Sequence, residues 1–341
     1  MDLNQQLFSS LPSVIKYMVW DFLFSAFYKC IKTIPRSHRM RPLSNANGHN
    51  RAISSIVLFG DRFITGSLDG TIKIWTIDGE CINTLKHIYI HSILIHGERI
   101  ISSSGHTIQI WTFDGELIKT LRGHTYDVNS IAIFNNQIIS GSWDGTIKIW
   151  TLEGQCIKTL RFLFQEGDKR IGSIAIHENK IVFSHYKHPI IKIITLDGKI
   201  VKTLEGHSKL ISCIGTHGNK IISGSEDKTI KIWIMDVDKN RVIHRDGIIC
   251  DLHMEDEFRG KCVKTLVGHS QGVTCIKIYG DLIISGSWDG TIKIWTLEGR
   301  CLKTLNIQSP YITSIALYGD RIISGSANGI IKIWKSYSLF Y

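Results

Sequence analysis

The chain has 341 residues, 43% of them apolar and only five prolines, enough for a sizeable core within one closed unit. A formal charge of +10 raises nucleic acid as a partner, but no stretch interleaves basic with aromatic residues, which argues against it. Eight cysteines without a C-x-x-C pair or metal-ligand spacing argue against a metal site or a disulfide framework; a reducing compartment, cytoplasm or nucleus, is expected.

The first element in the chain is a helix. Leu11, Val14, Ile15, Met18, Val19, Phe22 and Ala26 recur at i, i+3, i+4 and i+7. Ser10 can cap it, and Pro12 suits a first turn. Lys16 and Asp21 interrupt the run, which is too short and too polar to span a bilayer. Asp2 and the glutamines ahead of it differ from the basic start of a secretory signal. Residues 1–27 are expected to form an amphipathic helical segment covered by the rest of the chain or by a partner protein; a membrane surface is disfavoured. Next comes Tyr28–Ile34, YKCIKTI, a phrase that returns as QCIKTL at 155–160 and KCVKTL at 261–266.

From residue 48 onward the chain repeats itself. The run GSWDGTIKIWTLEG stands at 141–154 and again at 286–299, letter for letter. Weaker copies are GSLDGTIKIWTIDG at 66–79, GSEDKTIKIWIMD at 224–236 and GSANGIIKIW at 325–334. The closing tryptophans Trp75, Trp111, Trp150, Trp233, Trp295 and Trp334 lie 36, 39, 83, 62 and 39 residues apart. The longest gap hides a unit in which Ile194 stands at the tryptophan's place; the 62-residue gap is one unit plus an insertion at 236–259. That makes seven units of about forty residues, a period that belongs to four-stranded blades. In one unit, Val128–Phe134, Gln137–Gly141, Thr146–Trp150 and Cys156–Leu160 read as strands. Asn135-Asn136, Trp143-Asp144-Gly145 and Glu153-Gly154 read as the turns between them. The fold class is all-β, because a unit that cannot bury its own apolar face must stack on its neighbours.

Gly123-His124, Asp144 and Trp150, repeated in register in other units, resemble the signature of the WD-repeat (WD40) family over about residues 28–341. The Trp-Asp dipeptide of that family reads Trp-Thr in four of the six tryptophan-bearing units. The resemblance implies a seven-bladed β-propeller of four-stranded antiparallel blades. It also implies buried hydrogen-bond sets, each made of a His, a Ser or Thr, an Asp and a Trp. These are His49, Thr65, Asp69 and Trp75; His124, Ser140, Asp144 and Trp150; His207, Ser223, Asp227 and Trp233; and His269, Ser285, Asp289 and Trp295. Four such groupings, each tied to a buried tryptophan, mark the Ser-His-Asp combination as structural rather than hydrolytic. No catalytic residue, cofactor or metal is expected. Units two, four and seven lack the full set, and are expected to be softer.

In a four-stranded meander, the turn between strands two and three shares a face with the link from blade to blade; this is the upper face. The insertion 236–259 joins strands three and four, and so belongs to the lower face. Trp334 ends a third strand, leaving the last blade one strand short; Tyr28–Ile34 is expected to pair with Ile330–Trp334 and close the ring, with Arg39–Leu43 as fallback. The lysines on third strands, such as Lys148 and Lys293, occupy one repeat position and are spread round the rim. Cysteines at the start of fourth strands, such as Cys81 and Cys156, read as small packing residues.

In WD-repeat receptors, partners touch the residue between Gly-Ser and Asp and the residue five after the His. Here the first set is Leu68, Trp143, Glu226 and Trp288, with Ala327 and, from the degenerate fourth unit, Lys187. The second includes His91 and Asn129 beside Ser54, Gly172, Ser212, Thr274 and Thr313. Receptors for phosphorylated peptides present arginines at such places; Arg170 is the nearest one, which disfavours that reading. Trp143 and Trp288 offer large apolar anchors instead. The expected function is a non-catalytic protein-interaction scaffold with a peptide or protein partner on the upper face. Leu11-Pro12 opening a helix ahead of the repeats is similar to the F-box, which implies the alternative of a substrate-recognition subunit of a ubiquitin ligase, with residues 11–27 contacting the adaptor.

Overall fold

The computed structural model describes residues 27–37, 48–162, 169–235, 261–309 and 311–337. Residues 1–26 of the expected 1–27 helical segment with its adaptor contact at 11–27, the fallback strand at 39–43 and the 236–259 insertion lie outside them, while Phe27 opens a strand instead. Among the described residues there are 28 strands in seven four-stranded antiparallel sheets. Blades one to seven have first strands Ile53–Phe59, Ile90–His96, Val128–Phe134, Ile171–His177, Ile211–His217, Val273–Tyr279 and Ile312–Tyr318.

Local chemistry sets these strands. In blade three Thr146–Thr151 alternates isoleucine with lysine, burying Ile147 and Ile149 while Lys148 stays half-exposed. Asn135 and Asn136 both adopt positive φ (47° and 58°), as a two-residue hairpin turn with the right twist demands. Each second strand passes close to the next blade: a Cβ on Gly141 would sit 2.5 Å from Cδ1 of Ile174. The glycine therefore lets two blades touch.

The core lies between blades. Ile139, Ile147 and Ile149 of blade three pack with Ile171, Ile174 and Phe183 of blade four, and seven such clusters follow the ring. Each fully buried isoleucine contributes about 1.5–3 kcal/mol of transfer free energy. Close to the axis, serine hydroxyls pin successive first strands together. Amides of Ile93, Ile174, Ile214 and Ile56 donate to Ser55, Ser130, Ser173 and Ser314 of the preceding blade at 3.2, 3.0, 3.2 and 2.9 Å. In blades five and six Cys213 and Cys275 hold that place. There Ser212 and Thr274, one residue earlier, donate to the carbonyls of Val273 and Ile312 instead.

The ring closes as the repeat pattern predicts. Phe27–Ile34 runs antiparallel to Ile331–Tyr337, from Tyr28 opposite Ser336 to Ile34 opposite Ile331. Ile34 joins Ile53, Ile56 and Phe63 of blade one in the same buried cluster as Ile331 and Ile333 of blade seven. All seven described cysteines are free thiols. At the start of the fourth strands Cys81 and Cys262 are half-buried and pack against core clusters, whereas Cys156 and Cys301 are exposed, so the expected packing role holds in two of these blades and not in the other two.

Blade four fills the places of the missing serine and tryptophan with apolar side chains. Phe183 takes the serine's place and Ile194 the tryptophan's, both 0% exposed, and Phe162 packs on Phe183 with ring centroids 5.0 Å apart. With both the serine's and the tryptophan's places apolar, neither leaves an unpaired partner of the other behind.

Candidate interaction surface

Four blades carry the complete hydrogen-bond set. In blade three the Trp150 indole N–H donates to Ser140 Oγ at 2.8 Å, and Ser140 Oγ lies 2.8 Å from His124 Nε2. His124 Nδ1 lies 2.8 Å from Asp144 Oδ2, which also accepts from the Thr125 amide at 3.0 Å. Asp144 Oδ1 accepts from the amide and hydroxyl of Thr146 at 2.9 and 2.6 Å. This geometry fits one directional chain, in which the hydroxyl donates to Nε2 and Nδ1–H donates to the carboxylate. The same chain joins Trp75, Thr65, His49 and Asp69. It recurs through Trp233, Ser223, His207 and Asp227, and through Trp295, Ser285, His269 and Asp289.

Burial pushes the imidazoles of His49 and His269 below their ordinary pKa, against the pull of their aspartates, so they stay neutral. Burial alone would raise Asp69, but the bonds from His49, Thr71 and Asn50 override it and hold the carboxyl well below the usual range. Thr65, Ser140, Ser223 and Ser285 are each 0% exposed, with an indole N–H on the oxygen. A nucleophile so enclosed cannot meet a substrate, and the sets serve the fold.

Blade two holds a variant that residue spacing concealed. Trp111 keeps its bond to Ser102 at 3.0 Å, and His87 packs edge-on against Trp111 at 5.6 Å. The link into this blade is two residues shorter than in blade three (87–89 against 123–127), which brings His87, three residues before the first strand instead of four, to the histidine's place. Its Nε2 is buried without a partner, and burial pushes its pKa down to about 4.

The upper face stands above these sets. Trp143 packs beside His91 at 6.2 Å and Tyr186 at 5.6 Å, and the Arg170 guanidinium lies over Tyr186 at 4.2 Å and Trp143 at 5.3 Å. His91 Nε2 is 3.6 Å from an Asp127 carboxylate oxygen. The structure thus brings His91, Trp143 and Arg170 from three successive blades into one cleft, together with Tyr186. Backbone pairing shows why Tyr186 belongs there. Its amide donates to Arg170 as that of Trp143 does to Asp127, so Tyr186 holds the blade-four turn position and Lys187 the next one. A turn without the Gly-Ser-x-Asp wording hid that alignment.

A second aromatic pair sits further round. Trp288, 39% exposed, meets Tyr311 at 6.4 Å edge-on, and a Cβ on Gly272 would meet both the Trp288 ring and the Glu226 backbone. Leu68 stands apart on blade one, half-buried. Asn129 is committed to the Gly172 carbonyl at 3.2 Å. Ser54, Ser212, Thr274 and Thr313 donate to second-strand glycine carbonyls, and so belong to the framework rather than to a ligand. Tyr89 and Tyr126 are exposed on the links into blades two and three.

The third-strand lysines lie flat on the blades: Lys73, Lys148, Lys231 and Lys293 donate to fourth-strand threonines at 2.7–3.1 Å. Among the described residues no three His, Cys, Asp or Glu side chains gather as a metal site, and no helix is long and apolar enough to cross a membrane.

Comparison with known proteins places this geometry. The family described as "WD domain, G-beta repeat" matches residues 40–76, 115–151, 198–233, 260–296 and 299–335, more than half of the chain. Ribosome biogenesis protein YTM1 of Vanderwaltozyma polyspora is 30% identical over 128 residues, 37% of this chain and 27% of the relative. Small ribosomal subunit protein RACK1 of Caenorhabditis elegans is 33% identical over 105 residues, 29% of this chain and 28% of the relative. The chain thus matches about a quarter of the length of these curated relatives. The WD40 propeller domain of Doa1 superposes with a TM-score of 0.71 at 23% identity, covering 91% of this chain and 97% of that one, which is a likeness of fold.

Proposed function

Since the chain belongs to the WD-repeat family, whose propellers generally bind protein partners, we propose that it is a non-catalytic scaffold holding a peptide or protein segment on its upper face. One observation supports this most. The upper turns and links carry Trp143, Tyr186, Trp288 and Tyr311, while the titratable groups beneath them are used up in hydrogen bonds of the fold. Large rings with few rotatable bonds are the side chains that dominate binding energy at interfaces.

The test is affinity capture with mass spectrometry, comparing the native chain with the W143A/W288A double variant. Partners recovered with the native chain are expected to fall about tenfold or more, the loss of one to two anchors. Circular dichroism should meanwhile report an unchanged β fold. Equal recovery by both proteins rejects the upper face as the binding surface.

A further inference from the structure

The +10 charge of the chain is not evenly distributed. Along the upper loops of blades two to five, Arg122, Lys169, Lys187, Lys209 and Lys228 are exposed, and Arg170 adds a guanidinium stacked on the cleft rings. Among the described residues of that arc, the carboxylates outside the buried sets are Asp127, Glu205 and Glu226. Asp127 faces His91, and the set aspartates Asp144 and Asp227 are only 7% and 8% exposed and ringed by donors. The lower turns are mixed: exposed Asp61, Asp78, Glu98, Asp114, Glu153 and Asp197 share them with exposed Arg62, Arg99 and Lys199, and Asp78 and Asp197 are ion-paired to Arg321 and Lys158. Among the described residues, cations therefore outnumber the carboxylates outside the buried sets around the aromatic cluster of the upper face.

We propose that the upper face takes an acidic peptide segment, with an aromatic or aliphatic side chain seated against Trp143 and Tyr186 and its carboxylates facing Lys187 and Lys209. This deepens the upper-face reading and rests on it. Two physical features select the class. The cleft supplies rings for an apolar anchor, which a nucleic-acid backbone does not have. The cations are flexible exposed lysines at the rim, suited to steering and to discrimination between partners by charge. A basic segment would meet like charge on arrival.

The probe is a random unphosphorylated peptide library panned on the full chain, followed by fluorescence anisotropy of the enriched peptides. Enriched sequences are expected to be rich in Asp and Glu and to carry an aromatic or large aliphatic residue. Their binding should weaken about tenfold in the K187E/K209E variant and in W143A, and fall as salt rises, because rim charges are screened. Enriched peptides that are neutral or basic, yet still lose affinity in W143A, overturn the acidic class and leave the upper face standing. Peptides that bind all three proteins alike overturn the upper face itself. Tighter binding of a random DNA duplex that displaces the acidic peptide overturns the proposal in favour of nucleic acid, and a library without enrichment overturns it as well.

Discussion

A buried indole that gives its proton to a hydroxyl, which gives its own to an imidazole, leaves no slack at any link. Removing the middle member of the blade-three set by Ser140→Ala orphans the Trp150 donor and the His124 acceptor together. We expect a loss of about 1–3 kcal/mol, read from urea denaturation. A second residue is less well adapted. Gly70, Gly145, Gly290 and Gly329 hold φ of 74–83° in their turns, and blade five meets the same demand with Lys228 at 73°. Lys228→Gly should stabilise the protein by about 0.5–1 kcal/mol, since an L side chain is strained there and glycine is not. The members of the four sets were legible in the sequence because their spacing repeats. His87 was not, because a link two residues shorter moved it off register, and only three-dimensional packing against Trp111 identifies it.

Among elements, the strand Phe27–Ile34 has the largest consequence for its size. It covers the otherwise open edge of Ile331–Tyr337 and supplies Ile34 to the seam between the last blade and the first. A chain starting at residue 37 should melt well below one starting at residue 27, and with a broader transition; equal melting temperatures by differential scanning fluorimetry would refute closure as the strand's role. The strand was readable in advance because its wording, KCIKTI, matched fourth strands elsewhere. Blade four was legible only as a rhythm. Its missing tryptophan reads as a loss in sequence, whereas Phe162, Phe183 and Ile194 occupy the space together, a compensation that no single position reveals. The same blade hid Tyr186, whose turn lacks the glycine and aspartate that align the others.

At the scale of the molecule, the buried groups set how stability depends on pH. The folded chain resists protonating His87, His49 and His269, whereas the unfolded chain takes up those protons near the ordinary histidine value of about 6.5. The unfolded state therefore binds more protons as the solution is acidified, and stability falls from about pH 6.5 towards 4. Below about pH 4 the depressed carboxyls of Asp69, Asp144 and Asp227 add a second loss, as their unfolded forms protonate first. Melting temperatures across this range should drop monotonically. In His87→Leu the slope between pH 6.5 and 4 should flatten, leaving the lower step in place. The cluster of cations along the upper arc was hidden from composition, because a net value carries no address; the turns had first to be assigned to faces. Synthesis adds a last constraint. A ribosome makes Tyr28 early and Ser336 only after every intervening blade has been translated, yet the two must lie side by side. Until then the nascent chain is an open arc with two bare ends, dependent on contacts of great sequence separation that form slowly. The toroid can only shut once its final strand has cleared the exit tunnel, so the interval before that moment is when the propeller is most exposed to misassembly with its neighbours.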